Sequence, residues 1–245
     1  MSVQVRKQGG NGKFLGLLAV VGLAGAAFIG YTVTNKPPAP PPVMPVPGDT
    51  LLAKQARGYT VGKADAPVEV WEFADFECPT CGRVGVLMEP DIRKNYIETG
   101  KIRFTFYDYP LVNAHPNTMP AHNAAACADD QGKFWPLHDR LLEGQAEWNG
   151  MVTKSPRKVI AGYAEQLGLD MGKWNACMDA STHEGRIRAN YAFGLTQQVA
   201  GTPTFYVDGR AVPGVPSYDQ LARIIEDAIA ARQNAARPIP SAATQ

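Results

Sequence analysis

The order of apolar and polar positions divides the chain into segments of distinct character. Phe14 to Val33 is an uncharged run of 20 residues, long enough for a helix to span a bilayer. Pro37 to Pro47 holds seven prolines in eleven residues. That density imposes extended polyproline II, a stiff spacer of roughly 34 Å at about 3.1 Å per residue. Tyr59-Thr60-Val61 reads as a short edge strand, and Gly62 to Pro67 as a turn. Val68 to Phe73 is apolar on both faces except at Glu69 and Glu72, which suits a central strand. Val84, Leu87, Met88, Ile92 and Tyr96 then recur at three- and four-residue spacing, predicting a helix that ends near Gly100. Ile102 to Tyr107 alternates again, a strand stopped by Pro110. Strand, helix and strand in this order form a right-handed crossover between parallel strands.

From about residue 116 to 199 the strand period disappears. Helices are expected over Met119–Gln131, Lys133–Glu143, Ser155–Leu167, Met171–Ala180 and Thr182–Gln198, with Ser155 and Asp170 as N-caps. These helices read as an all-α subdomain inserted between strands. After them, Thr204–Val207 and Arg210–Val212 flank Asp208-Gly209, a hairpin with a tight turn. Ser217 and Gln220 form a capping box, and Leu221, Ile224, Ile225 and Ala228 line one face of a last helix. The expected organisation is a basic N-terminus (1–13), an anchor (14–33), a proline-rich linker (34–57), one α/β domain (58–235) and a disordered tail (236–245).

Composition narrows the class of partner. The chain has 245 residues, 45% hydrophobic content and a formal net charge of +1. One core-forming domain with appendages fits that length, and the near-neutral balance disfavours nucleic acid as the main partner. Arg6, Lys7 and Lys13 precede the apolar run with no acid among them, so the N-terminus is expected in the cytoplasm and the domain outside it, in the periplasm or its equivalent. Disulfides persist there. Cleavage after Ala24-Gly25-Ala26 would instead secrete the domain, but it would leave Ala27-Phe28-Ile29 as an apolar new terminus, and the uncleaved anchor is preferred.

The chemistry concentrates in Trp71 to Arg83, W-E-F-A-D-F-E-C-P-T-C-G-R. Here a strand gives way to a helix at Cys78-Pro79-Thr80-Cys81. The unpaired N–H groups and macrodipole at a helix start favour negative charge, so the Cys78 thiol should ionise easily. Pro79 fits the first turn, where its missing N–H has no intrahelical partner to lose. Cys78 is expected to be the exposed attacking sulfur and Cys81, one turn further in, the resolving one. Asp75 reads as a loop cap near the surface.

This stretch resembles the active site of the thioredoxin superfamily, and within it the DsbA-like thiol-disulfide oxidoreductases with a Phe-X-Cys-Pro-X-Cys signature. The resemblance extends over about Tyr59 to Ala230. It implies a thioredoxin fold with an inserted helical subdomain, here preceded by the anchor helix. It also implies that Glu72 is a buried acid beneath Cys81 that exchanges its proton, the alternative being a Glu72 that points to solvent at a strand edge. Pro203, in Gly201-Thr202-Pro203-Thr204, would be the cis proline opposite the cysteines, with the Thr202 backbone offered to a bound peptide. The run Ala124 to Ala128 with Gln131 to Trp135 and His138-Asp139 looks like the insertion's pattern in membrane-tethered or secreted relatives. His138 is read as a packed residue.

Cys127 and Cys177 fall in different expected helices of the insertion. A structural disulfide, two buried free thiols and a second redox relay all remain open, with the disulfide favoured by the compartment. A four-cysteine zinc site is disfavoured because the second pair lacks the spacing. The function implied is a monomeric, anchored oxidoreductase that introduces disulfides into folding proteins and is recycled by a membrane redox partner, with no cofactor or metal. The rivals are a reductase or isomerase using the same cysteines, and a tethered copper- or zinc-binding module. The isomerase would need a dimerisation domain, for which residues 48–64 are too short.

Overall fold

In the computed structural model, residues 44–236 can be described. The expected anchor (14–33), most of the proline-rich segment and the expected tail lie outside them. Among the described residues, no helix is long and apolar enough to cross a membrane.

The chain enters with a short helix, α1 (Thr50–Ala53), capped by Asp49 and set where continuous linker was expected. Strand β1 (Tyr59–Val61) follows, then β2 (Val68–Ala74). After the cysteine loop come α2 (Pro79–Leu87), α3 (Glu89–Ile92) and a π-helical turn, Arg93–Ile97. The single helix expected up to Gly100 is thus broken at Met88. Pro90 is the physical reason, since it has no N–H to continue the ladder but fits the first turn of α3. Strand β3 (Ile102–Asp108) closes the crossover.

The helical insertion consists of α4 (Thr118–Asp129), α5 (Phe134–Glu143), α6 (Gln145–Trp148), α7 (Arg157–Gln166), α8 (Met171–Ala180) and α9 (Glu184–Thr196). Asp170 caps α8 through Lys173 N–H, as expected. Ser155 does not cap α7, which starts behind Pro156, and the Ser155 N–H donates instead to Thr153 Oγ1. Ser181, left-handed at φ 49°, ends α8 and delays the start of α9. The short α6 carried no sequence periodicity and was not expected. The chain returns through β4 (Thr204–Val207), β5 (Arg210–Ala211) and α10 (Tyr218–Ala236). Asp208 and Gly209 both take positive φ in the hairpin turn, and the Ser217–Gln220 capping box is formed.

The five strands lie in the order β1-β3-β2-β4-β5, with β2 and β3 parallel and the other pairs antiparallel. Strand β2 is therefore central and fixes the two faces. Val68, Val70 and Glu72 point with Ile102 and Phe104 to the face that carries α2 and α10. Trp71 and Phe73 point the other way, into an aromatic layer with Tyr107, Tyr109 and Phe193. The period of two thus carries a carboxylate into the apolar core directly behind the cysteine loop.

Candidate active site

Cys78 is the N-cap of α2, and Pro79 occupies the first turn. The apolar strand ends at Ala74, and the chain turns through Asp75 to Glu77. There the Cys78 N–H donates to the Asp75 carbonyl at 3.0 Å, and the next turn closes from Gly82 N–H to the Cys78 carbonyl, also at 3.0 Å. The expectation of an exposed Cys78 needs correction, because the residue keeps only 7% of its surface. The loop is roofed by Gln145 at the start of α6, whose Nε2 donates to the carbonyls of Phe76 at 2.6 Å and Cys78 at 2.9 Å. A side chain at position 82 would strike this amide, since a Cβ on Gly82 would lie 2.4 Å from Gln145 Oε1. Glycine at 82 is what lets the clamp close.

The two thiols are pushed apart in acidity. A hydrogen bond from Cys81 holds the Cys78 thiolate, overcomes the cost of burial, and with Thr202 and the N–H groups of Cys81 and Thr80 lowers Cys78 to about 5. Burial drives Cys81 well above the ordinary thiol value, and the neighbouring Cys78 and Glu72 charges push it further. As a thiol, Cys78 Sγ donates to the Thr202 carbonyl at 3.4 Å. The buried Thr202 hydroxyl has no hydrogen-bond partner among the described residues. The Thr202–Pro203 peptide is cis, and it sits against the cysteine loop.

Glu72 keeps 1% of its surface. Burial raises its pKa well above the carboxylate value, and the Glu89 carboxyl beside it raises it further. Burial thus shifts the side chain toward the neutral acid. The solvent-facing alternative is excluded by its position. Glu89, from α3, is a second buried acid at this site that the sequence reading did not single out.

Asp75 also needs correction, being fully buried rather than near the surface. Its carboxylate accepts from Glu77 N–H at 2.8 Å, Leu111 N–H at 2.8 Å, Thr118 Oγ1 at 2.5 Å and His115 Nδ1 at 2.7 Å. Burial alone would raise its pKa, but the His115 hydrogen bond, the His122 charge and these donors together lower it. Glu77 accepts from Asn117 N–H at 2.6 Å and Gly150 N–H at 2.5 Å. Two carboxylates of the cysteine loop thus tie it to the Leu111–Thr118 segment and to Gly150. The insertion in turn is pinned by a Cys127–Cys177 disulfide. His138 is fully buried, packed as expected against Phe76, Phe106 and Trp135.

A family model described as Thioredoxin matches residues 54–227. The chain belongs to the thioredoxin family. The crystal structure of Wolbachia pipientis alpha-DsbA1 is similar in fold, with a TM-score of 0.65 at 17% identity over 80% of this chain and 98% of that one. The Bacillus subtilis protein named disulfide bond formation protein D is 26% identical over 170 residues, covering 68% of this chain and 74% of the relative. A Salinispora tropica protein named Na(+)/H(+) antiporter NhaA 3 is 34% identical over 174 residues, or 71% of this chain. The aligned part is only 25% of that relative's length.

Proposed function

We propose that the chain is an extracytoplasmic protein thiol-disulfide oxidoreductase that donates the Cys78–Cys81 disulfide to cysteine-containing substrate proteins. The observation that carries this reading is the split between an acidic Cys78, at about 5, and a buried, raised Cys81. A substrate thiolate attacks Cys78 Sγ, the Cys78–Cys81 bond breaks, and Cys81 leaves with the electron pair. A second substrate thiolate then attacks the substrate sulfur bonded to Cys78, and Cys78 leaves as a thiolate with the electron pair. Because Cys78 is stable as a thiolate, it is a good leaving group, which favours disulfide donation over reduction.

Glu72, beneath Cys81, supplies the proton the resolving sulfur needs. The Thr202 carbonyl accepts from the Cys78 thiol, and the Thr202 backbone offers a strand-like edge to an extended substrate. Met151 and Val152, 97% and 60% exposed, adjoin the Gly150 that Glu77 holds beside the cysteines. Exposed apolar side chains there suit chains that have not yet buried their own. The apolar run 14–33 would tether the domain to the membrane, within reach of a membrane redox partner that re-forms the disulfide.

Mixing the oxidised full chain with a reduced, unfolded dithiol protein tests the reading. Disulfides should appear in the substrate as Cys78 and Cys81 become reduced, and Cys81→Ser, with Cys78 first oxidised to its glutathione mixed disulfide, should exchange glutathione for a substrate sulfur and trap a mixed disulfide at Cys78. Failure of both would refute it.

A further inference from the structure

The Cys127–Cys177 disulfide of the insertion has two further polar side chains against it. Asp130 ends α4 just after Cys127, and Cys177 lies in the last turn of α8. Ser181, left-handed at φ 49°, reverses the chain there, and the Thr182 N–H and Oγ1 both donate to the Cys177 carbonyl at 3.2 Å. That turn brings His183, the N-cap of α9, back beside the sulfurs. The two Sγ atoms and a ring nitrogen of His183 all lie within 4.8 Å of one another. Asp130 Oδ2 is 2.8 Å from His183 Nε2 and 3.8 Å from Cys177 Sγ. Cys127 is 1% exposed, the His183 side chain 16% and that of Asp130 52%, so the cluster is closed toward the core and open toward solvent.

Two sulfurs, an imidazole and a carboxylate are a donor set that suits tetrahedral zinc. Zinc–ligand bonds of about 2.0–2.3 Å place tetrahedral ligand atoms about 3.3–3.8 Å apart, close to the spacings His183 and Asp130 already keep. A surface ion pair would explain the His183–Asp130 contact but not its place against both cysteine sulfurs. We propose that Cys127, Cys177, His183 and Asp130 form a zinc site when the Cys127–Cys177 disulfide is reduced. The insertion is then cross-linked by a disulfide in one redox state and by a metal ion in the other. The site uses neither Cys78 nor Cys81 and does not rest on the exchange proposed above.

The redox step balances with a dithiol as reductant. One of its thiolates attacks Cys177 Sγ, the more accessible sulfur, the S–S bond breaks, and Cys127 leaves as a thiolate with the electron pair. The second thiolate of the reductant attacks the reductant sulfur bonded to Cys177, and Cys177 leaves as a thiolate in turn. The reductant ends as a disulfide, its two thiol protons pass to solvent, and the insertion holds two thiolates. Zinc binds both without changing its oxidation state. His183 gives up its hydrogen bond to Asp130, carries its proton on Nδ1 and presents Nε2, and the exposed Asp130 carboxylate turns to complete the shell. Reoxidation by a disulfide removes both sulfur ligands and releases the ion.

Little backbone movement is needed. The Cα atoms of Cys127 and Cys177 are 5.9 Å apart, and rotation about the Cα–Cβ bonds parts the sulfurs to the zinc spacing. The disulfide joins α4 to α8 alone, whereas the ion would also hold the start of α9 through His183.

The test uses the full chain with Cys78→Ser and Cys81→Ser, which removes the other two thiols. Reduced with a phosphine, freed of it under nitrogen and titrated with Co2+, the chain should bind one ion. It should show the thiolate-to-cobalt charge-transfer band and the intense visible bands of a tetrahedral site, and Zn2+ should displace the Co2+. The oxidised chain should bind neither ion. Loss of a group that merely orients a ligand costs about 10–100-fold in affinity, so His183→Ala should weaken zinc binding about a hundred-fold or more, and Asp130→Asn about ten-fold or more. A reduced chain without the tetrahedral cobalt spectrum would overturn the site, as would unchanged affinity in both His183→Ala and Asp130→Asn. If reduction unfolds the insertion, Zn2+ should refold it, and a reduced chain left unfolded by Zn2+ would overturn the site. If the serine background does not fold, the reduced wild type should bind one Zn2+ more than Cys127→Ser with Cys177→Ser, and equal uptake would overturn the site.

Discussion

Cys81 lies one helical turn inside Cys78, and that single turn separates a thiol lowered to about 5 from one raised well above its usual value. Both sulfurs belong to the same helix, α2. One meets the free N–H groups at its start, and the other meets the buried face of β2 with Glu72. The pair is therefore polarised before any substrate arrives.

Iodoacetamide labelling of the reduced chain should report this directly. Alkylation of Cys78 should titrate with a midpoint near 5, while Cys81 stays unreactive across neutral pH. A lowered thiol pKa stabilises the folded reduced form above the ordinary thiol pKa, and this contribution is lost as pH falls through the folded value. The reduced chain should accordingly lose stability as pH falls through about 5. A single Cys78 midpoint near 9, the ordinary thiol value, would remove the basis for its leaving-group role.

Replacing Glu72 separates stability from function. Its pKa is raised by burial, so ionisation is costlier in the folded state, and the fold loses stability as pH rises above the ordinary carboxylate value. Glu72→Gln should therefore melt higher than the wild type at pH 7, by a few degrees for about 1 kcal/mol. It should also exchange disulfides about ten-fold or more slowly. Thermal melts and exchange rates on one sample check both signs, and a destabilised variant with a normal rate contradicts the assignment.

The disulfide of the insertion should matter for stability and not for chemistry. Cys127 and Cys177 are 50 residues apart, and closing such a loop is worth about 4 kcal/mol in the chain-entropy model. Cys127→Ala with Cys177→Ala should lower the denaturant midpoint accordingly and leave the rate of Cys78–Cys81 exchange within about two-fold. A large loss of exchange in the folded double variant would mean that this pair takes part in the redox chemistry.

His115 and Asp75 offer a pH-dependent handle on the loop. The hydrogen bond to Asp75 raises His115 above its ordinary value, so its contribution is fully present below about 6.5 and is lost as pH rises through the folded value. His115→Ala should cost about 1–3 kcal/mol at pH 6 and less at pH 9. Equal losses at the two pH values would show that the imidazole acts there by packing alone.

Much of this was legible along the chain because it is local. The cysteine spacing, the strand before it and the helix after it all lie within residues 68–87, while the buried place of Glu72 was expected only from the family resemblance, and the structure puts it in register with Val68 and Val70. The hairpin and the cap at Asp170 are likewise written in adjacent residues. What the sequence hid depends on distant segments meeting. Asp75 looks like a surface cap until Leu111, His115 and Thr118 fold over it, and Gln145 sits on a helix too short to show a period. Glu89 carries no signal along the chain, because its burial comes from Pro90 breaking the helix there and α5 covering the acid with His138.

The most direct test of the central claim is the reduction potential of the Cys78–Cys81 pair. The full chain would be equilibrated in glutathione buffers of graded poise, and the redox state of each cysteine read by thiol labelling and mass spectrometry. A disulfide donor with so acidic a Cys78 should lie near the oxidising end, about −120 mV, where its reduced form is stabilised. A value near about −270 mV would mark a reductant and contradict the proposed direction, while leaving the fold and the two cysteines in place.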